Sequence, residues 1–193
     1  MGSVVLLSGG IDSSTCAALE AERGRLMACL FVDYGQPAAP SERTAAVAVA
    51  AALGCPLHFA SLPIALGAMA DAPGVPGPRV VPGRNLTLAS LAVSLALTIG
   101  AEDVILGATA GDAAAYRDCR LGFIRRLSET VRKTYGLRIE APLVQADKAG
   151  VVAEARRLGL DLSLTWSCYA PNDGHPCGTC NACVERRDAM GGA

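Results

Sequence analysis

The chain has little charge and few rings: of its 193 residues only 18% are charged and 4% aromatic, and the formal net charge is -1. No global basic field therefore draws it to nucleic acid, and the scarcity of rings removes the stacking platforms that single-stranded RNA readers use. A long hydrophobic run is also missing. The least polar segment, Asn85 to Ala101, carries no charge but includes Thr87, Ser90, Ser94 and Thr98 and falls about one turn short of a comfortable span. A buried helix is the expectation, and no membrane partner. Met1-Gly2-Ser3 leads into an apolar run without a basic start or a cleavage site, and Leu6 stands where an N-myristoylation signal needs Ser or Thr. A soluble cytoplasmic protein is expected. No internal repeat or long low-complexity tail is visible, and no Gly-Lys-Ser/Thr of a Walker loop follows the first glycines.

What is present starts with an apolar fraction of 51%, enough for a real core. Val4 to Leu7 has the length and branching of a buried parallel strand; Ser8-Gly9-Gly10 breaks it, and helical spacing follows from Ser13 to Arg23. Glycines let backbone N–H groups approach a ligand, and the following helix aims its N-terminal dipole at the same space, which suits phosphate. Ser8, Ser13 and Ser14 add hydroxyl donors, and Asp12 a carboxylate able to hold a Mg²⁺ that bridges phosphates. These residues resemble the Ser-Gly-Gly-x-Asp-Ser signature of the PP-loop ATP pyrophosphatases, in which the loop binds the pyrophosphate of ATP.

Strand-then-helix alternation continues: a strand over Leu26 to Val32, a helix over Ser41 to Leu53, a strand over Leu57 to Ala60, the uncharged helix, a strand over Asp103 to Gly107, a small-residue loop over Ala108 to Gly111, a helix over Leu121 to Thr134, a strand over Ile139 to Val144, and a helix from Asp147-Lys148 to Leu158. This pattern implies an α/β fold with an open, doubly wound parallel sheet. Residues 1–160 are expected to form the nucleotide-binding domain, with 161–193 a small module packed on it. The proline- and glycine-rich stretch from Leu62 to Gly83 fits a flap or an ordered loop.

Several polar clusters fall where such sheets bind ligands. Asp33-Tyr34-Gly35-Gln36 ends the second strand, as a ligand site or a plain turn. Arg84 and Asn85 open the uncharged helix, suited to phosphate or ribose, although Asn85 equally fits a cap. Tyr116-Arg117-Asp118-Cys119-Arg120 by itself favours a solvated face. Lys148 opposes its helix dipole, which hints at a nearby anion unless it is a surface lysine.

Cys168, Cys177, Cys180 and Cys183 are spaced C-x8-C-x2-C-x2-C. Two-residue gaps let neighbouring thiolates face one centre, so metal is implied; Zn²⁺ is favoured because a closed Cys₄ site is typically structural, with an iron–sulfur cluster as competitor. Cys16, Cys29 and Cys55 fit apolar core positions.

Taken in order, these features resemble the QueC family of PP-loop enzymes, over nearly the whole chain: the Ser8 to Ser13 loop, Tyr34-Gly35-Gln36, Val81 to Asn85, Tyr116 with Asp118-Cys119-Arg120, Lys148, Ser167-Cys168-Tyr169, and Cys177, Cys180, Cys183 with Arg186. The resemblance implies an ATP-dependent conversion of 7-carboxy-7-deazaguanine and ammonia to the nitrile, releasing AMP and pyrophosphate, by a homodimer with ATP, Mg²⁺ and Zn²⁺. It implies Ser8, Gly9, Gly10, Asp12, Ser13, Ser14, Arg84 and Asn85 around the nucleotide, Asp12, Arg84 and Lys148 in catalysis, and Tyr34, Gln36, Tyr116, Asp118 and Arg120 around the deazaguanine. Pro37 and Ala38 depart from the basic residue and His usual after Tyr-Gly-Gln, Arg117 from a usual Pro, and Gly150 from a common Glu. The missing His leaves open a ligase that stops at the amide or joins the carboxylate to another amine, such as a protein N-terminus. A PP-loop tRNA-modifying enzyme is a further alternative.

Overall fold

In a computed structural model, which describes residues 2–62, 81 and 83–191, the N-terminal apolar run is strand β1 (Ser3–Leu6). It is followed by α1 (Ile11–Glu22), β2 (Leu26–Asp33), α2 (Ala39–Ala52), β3 (Leu57–Ser61), α3 (Arg84–Ile99), β4 (Asp103–Ile105), α4 (Ala110–Ala115), α5 (Leu121–Tyr135), β5 (Arg138–Glu140), α6 (Lys148–Arg157) and α7 (Asn181–Met190). Apart from Leu62, Val81 and Gly83, the proline- and glycine-rich stretch lies outside the described residues.

All strands pair in parallel, in the order β3-β2-β1-β4-β5. Because strand side chains alternate between faces, Val5, Leu7, Cys29, Phe31 and Ile105 pack with α1, α2 and α6, while Val4, Leu30, Val32 and Val104 pack with α3 and α5. Covering both faces explains why β1 and β2 read as unbroken apolar runs. α3 turns Ala89, Ala92, Val93 and Ala96 into the second core, and no described helix is long and apolar enough to cross a membrane. Residues 161–191 have few apolar contributions of their own: Leu162, Leu164 and Ala189 join the first core, and α7 has no buried residue.

Three elements differ from expectation. The strand expected over Ile139 to Val144 ends at Glu140, where the chain turns to bury Leu143. The expected loop from Ala108 contains α4, started by Thr109, whose hydroxyl accepts from the Asp112 N–H while the Asp112 carboxylate accepts from the Thr109 N–H. α7 was not foreseen, because it lacks an apolar face. The chain leaves β1 toward β2 and β3 on one side and returns to β4 and β5 on the other, which opens a crevice beyond the C-terminal ends of β1 and β4.

Candidate active site

Two close backbone approaches build the crevice. Gly9, in the left-handed region at φ +78°, lies so near α2 that a Cβ would sit 2.6 Å from the Glu42 carbonyl and 2.7 Å from the Ala46 N–H nitrogen. Gly107, just past β4, meets the first turn of α1, where a Cβ would lie 2.8 Å from both the nitrogen and Cα of Ser13. Sequence reasoning did not single out Gly107; a glycine directly after a central strand was the available signal. Gly10 caps α1 without a side chain, so the first-turn N–H groups keep the free donors that a helix start offers an anion.

The serines first order the loop itself. The Ser8 N–H donates to Ser13 Oγ at 3.2 Å, the Gly10 N–H donates to Ser8 Oγ at 3.3 Å, and the two hydroxyl oxygens are 3.0 Å apart. Ser8, Gly10, Asp12 and Ser13 line a cavity of about 700 Å³. Ser14 departs from its expected place: it is wholly buried, its hydroxyl has no partner among the described residues, and it is not part of the cavity wall.

Across the loop, Lys148 Nζ lies 2.7 Å from both carboxylate oxygens of Asp12. The anion that offsets Lys148 at the start of α6 is therefore a side chain brought from the other end of the chain. Burial raises the Asp12 pKa despite the Lys148 ammonium, and the nearby Asp112 charge adds to the rise. Asp12 and Asp112 both line the cavity, and two hard carboxylates sharing one side of a phosphate site fit a Mg²⁺ ion.

The far wall carries Tyr34, Gln36, Arg84, Asn85, Tyr116 and Tyr169. Arg84 follows the left-handed Gly83, and its guanidinium sits 3.4 Å from the Tyr34 hydroxyl and 6.0 Å from the Tyr116 ring centroid. It has no carboxylate partner within ion-pair distance among the described residues; burial disfavours its charge, the hydrogen bond to the Tyr34 hydroxyl favours it, and its pKa is raised. A half-buried cation with no carboxylate partner among the described residues, beside a phosphate-type loop, suits an anion. Burial also raises the pKa values of Tyr34, Tyr116, Tyr169 and Glu42, keeping the phenols neutral.

Two expected substrate ligands are placed elsewhere. Asp118 accepts from the Asn85 N–H at 3.1 Å, so it caps the start of α3 rather than lining the cavity. Arg120 is exposed and donates from Nε to the Ala113 carbonyl at 3.2 Å. Asn85 is not the cap; it lines the cavity while its amide donates to the Asp118 carbonyl and Cys119 Sγ. Gln36 lines the cavity too, but its amide closes the turn, accepting from the Tyr34 N–H and donating to the Val32 carbonyl and Glu42. Tyr169 and Glu42 were not assigned in advance; both come from segments whose distance in sequence hides their meeting.

The Sγ atoms of Cys168, Cys177, Cys180 and Cys183 all lie within 4.8 Å of one another, close to the roughly 3.8 Å separation of thiolates around one tetrahedral zinc. The Cys177 N–H donates to Cys168 Sγ at 3.2 Å and the Cys180 N–H to Cys177 Sγ at 3.4 Å, bonds that suit thiolates. Backbone N–H donors from Thr179 and Cys180 pull the Cys177 pKa down to about 6. The donor set fits a structural metal, and Cys177, Thr179 and Cys180 also edge the cavity. Cys16 and Cys29 are core residues as expected, whereas Cys55 is half-buried with its sulfur 3.8 Å from that of Cys29.

A parallel sheet in this order, with a Ser-Gly-Gly-x-Asp-Ser loop at its switch point, defines a nucleotide-binding domain of the PP-loop ATP pyrophosphatase type. In agreement, the fold is similar to that of the NMN synthetase from Francisella tularensis, with a TM-score of 0.59 at 20% identity, covering 100% of this chain and 73% of that one. Residues 2–193 match the family described as "Queuosine biosynthesis protein QueC", and the chain belongs to it. It is 39% identical to a protein named 7-cyano-7-deazaguanine synthase from Synechococcus sp. (strain CC9605), over 97% of this chain and 92% of that protein. A protein of the same name from Anaeromyxobacter sp. (strain Fw109-5) is 40% identical over 96% of this chain and 89% of that protein.

Proposed function

We propose that this protein is a cytoplasmic 7-cyano-7-deazaguanine synthase that uses ATP and ammonia to turn the carboxylate of 7-carboxy-7-deazaguanine into a nitrile. The observation that carries this reading is the half-buried Arg84 guanidinium, without a carboxylate partner among the described residues, in the same cavity as the Ser8 to Ser13 loop and Asp12, which Lys148 pairs. A carboxylate is a poor electrophile. Its oxygen attacks the α phosphate of ATP, pyrophosphate leaves, and ammonia displaces AMP to give an amide. The amide oxygen then attacks the α phosphate of a second ATP, a second pyrophosphate and a proton leave, and loss of AMP and a further proton from the nitrogen gives the nitrile.

The chain supplies positioning and charge. Ser8, Gly9, Gly10 and Ser13 receive the pyrophosphate on backbone and hydroxyl donors. Asp12, with Asp112, would hold Mg²⁺, which supplies charge neutralisation on the phosphates. Lys148 is released from Asp12 as phosphate oxygens arrive, and Arg84 offsets charge developing at the α phosphate. Neutral Tyr34, Tyr116 and Tyr169 offer flat surfaces and hydroxyl groups to the deazapurine. The four cysteines would hold Zn²⁺, which cross-links the wall that Tyr169 and Thr179 contribute. A homodimer is part of the same reading.

A second reading, a ligase that stops at the amide or uses another amine such as a protein N-terminus, is favoured by one feature: Pro37 and Ala38 line the cavity and offer no titratable group there. Mass spectrometry separates the two. Protein incubated with 7-carboxy-7-deazaguanine, ATP, Mg²⁺ and ammonium is expected to give nitrile and AMP, with neither formed by Asp12→Ala. Amide alone would select the ligase reading, and AMP with neither product would mean a different acid is the substrate.

A further inference from the structure

The segment between α6 and the cysteine module runs across the phosphate loop. The Trp166 N–H donates to the Gly9 carbonyl at 2.8 Å, and a Cβ on Gly10 would lie 3.5 Å from the Trp166 carbonyl, so this strap sits against both loop glycines. Its indole Nε1–H reaches forward to the Cys168 carbonyl at 2.8 Å. From α7, in the turn after Cys183, Arg186 grips the same strap: Nη2 donates to the Leu162 carbonyl at 2.6 Å, and Nη1 to Thr165 Oγ1 at 2.8 Å and Ser167 Oγ at 3.2 Å. All its acceptors are neutral, and none lies on the cavity wall.

We infer that Arg186 is a positioning residue for the ATP site: by fixing residues 162–167 it holds the Trp166 N–H on the Gly9 carbonyl, and so sets the phosphate loop from the helix that carries Cys183 and is capped by Cys180. The inference rests on the reading that the Ser8 to Ser13 loop binds ATP. A guanidinium can meet three acceptors spread over two directions; an ammonium meets fewer, and a thioether none. The strap carries the only tryptophan of the chain, so its emission reports directly on this contact.

Equilibrium dialysis with Mg-ATP and, separately, with 7-carboxy-7-deazaguanine is the test, on the full metal-loaded chain and its Arg186→Met and Arg186→Lys variants, with metal content and Trp166 emission recorded alongside. Arg186→Met is expected to weaken ATP binding about tenfold, the effect of losing hydrogen bonds to one charged group. It should shift the emission, keep its metal, and change deazaguanine binding less than about twofold on the same scale. Arg186→Lys should fall between. Unchanged ATP affinity in Arg186→Met overturns the inference alone. Metal loss with equal weakening for both ligands also overturns it, making Arg186 a support of the module only. No ATP binding by the unaltered protein overturns this inference and the functional reading together.

Discussion

The phosphate loop and the cysteine module border one cavity, yet they are held in unlike ways. Gly9 is pressed on the α2 backbone and Gly107 on the first turn of α1, so the loop is shaped by contacts that leave no room for a methyl group. α7, by contrast, buries none of its residues; the module hangs on Arg186, on the Arg156 bond to the Met190 carbonyl, and on four sulfurs gathered around one point. Crowding makes one wall of the site depend on the core, whereas the other gathers four cysteines that could hold a metal. A short loop between two core elements needs only small residues, whereas a tail with little apolar surface needs a cross-link.

The sharpest way to break this contrast is at Gly9. Gly9→Ala places a methyl group within the α2 backbone at positive φ, and should abolish ATP consumption and destabilise the chain by about 3 kcal/mol, read by urea unfolding and AMP release. Asp12→Asn separates chemistry from shape at the same loop. Turnover should fall about 10³-fold while the urea midpoint stays near that of the unaltered protein, because a partly exposed pair adds little stability. On the other wall, Cys180→Ser or a strong chelator should unload the metal, shift Trp166 emission and remove amide protection in α7, with β1 and β4 protection unchanged by hydrogen exchange. Persistence of α7 protection without metal would mean that Arg186 and the core suffice.

The smallest effect is expected from a half-buried acid on the cavity wall. Burial raises the Glu42 pKa above its ordinary 4.5, so the native state holds the proton more tightly than the unfolded chain. Its contribution is fully present below pH 4.5 and is lost as pH rises through the raised native value. Glu42→Gln removes that loss and should raise Tm by roughly 2 °C at pH 7, a gain that vanishes below the unfolded pKa. Thermal melts across that range check the sign.

The residues that the structure places away from their expected positions share a cause. Asp118 and Arg120 stand in a dense polar run, but Asp118 turns to the unsatisfied N–H of Asn85 and Arg120 to a carbonyl of α4, partners that no local spacing announces. Tyr169 and Glu42 reach the cavity because the strap and α2 are folded against it. α4 was legible in principle from Thr109 and Asp112; α7 was not, since its polar sequence lacks the periodicity that marks a packed helix.

The sequence by itself determined the strand and helix alternation, the phosphate-type loop and the four-thiolate set, because each is written in residues a few positions apart, where backbone geometry and side-chain chemistry act locally. Only the tertiary structure decided that Lys148 closes on Asp12, that Arg84 stands without a carboxylate partner among the described residues, that Gly107 admits α1, and that Arg186 grips the strap over Gly9. Those pairings depend on which elements the sheet order and its two packed faces bring together, a choice made by burial of the whole apolar pattern rather than by any one segment.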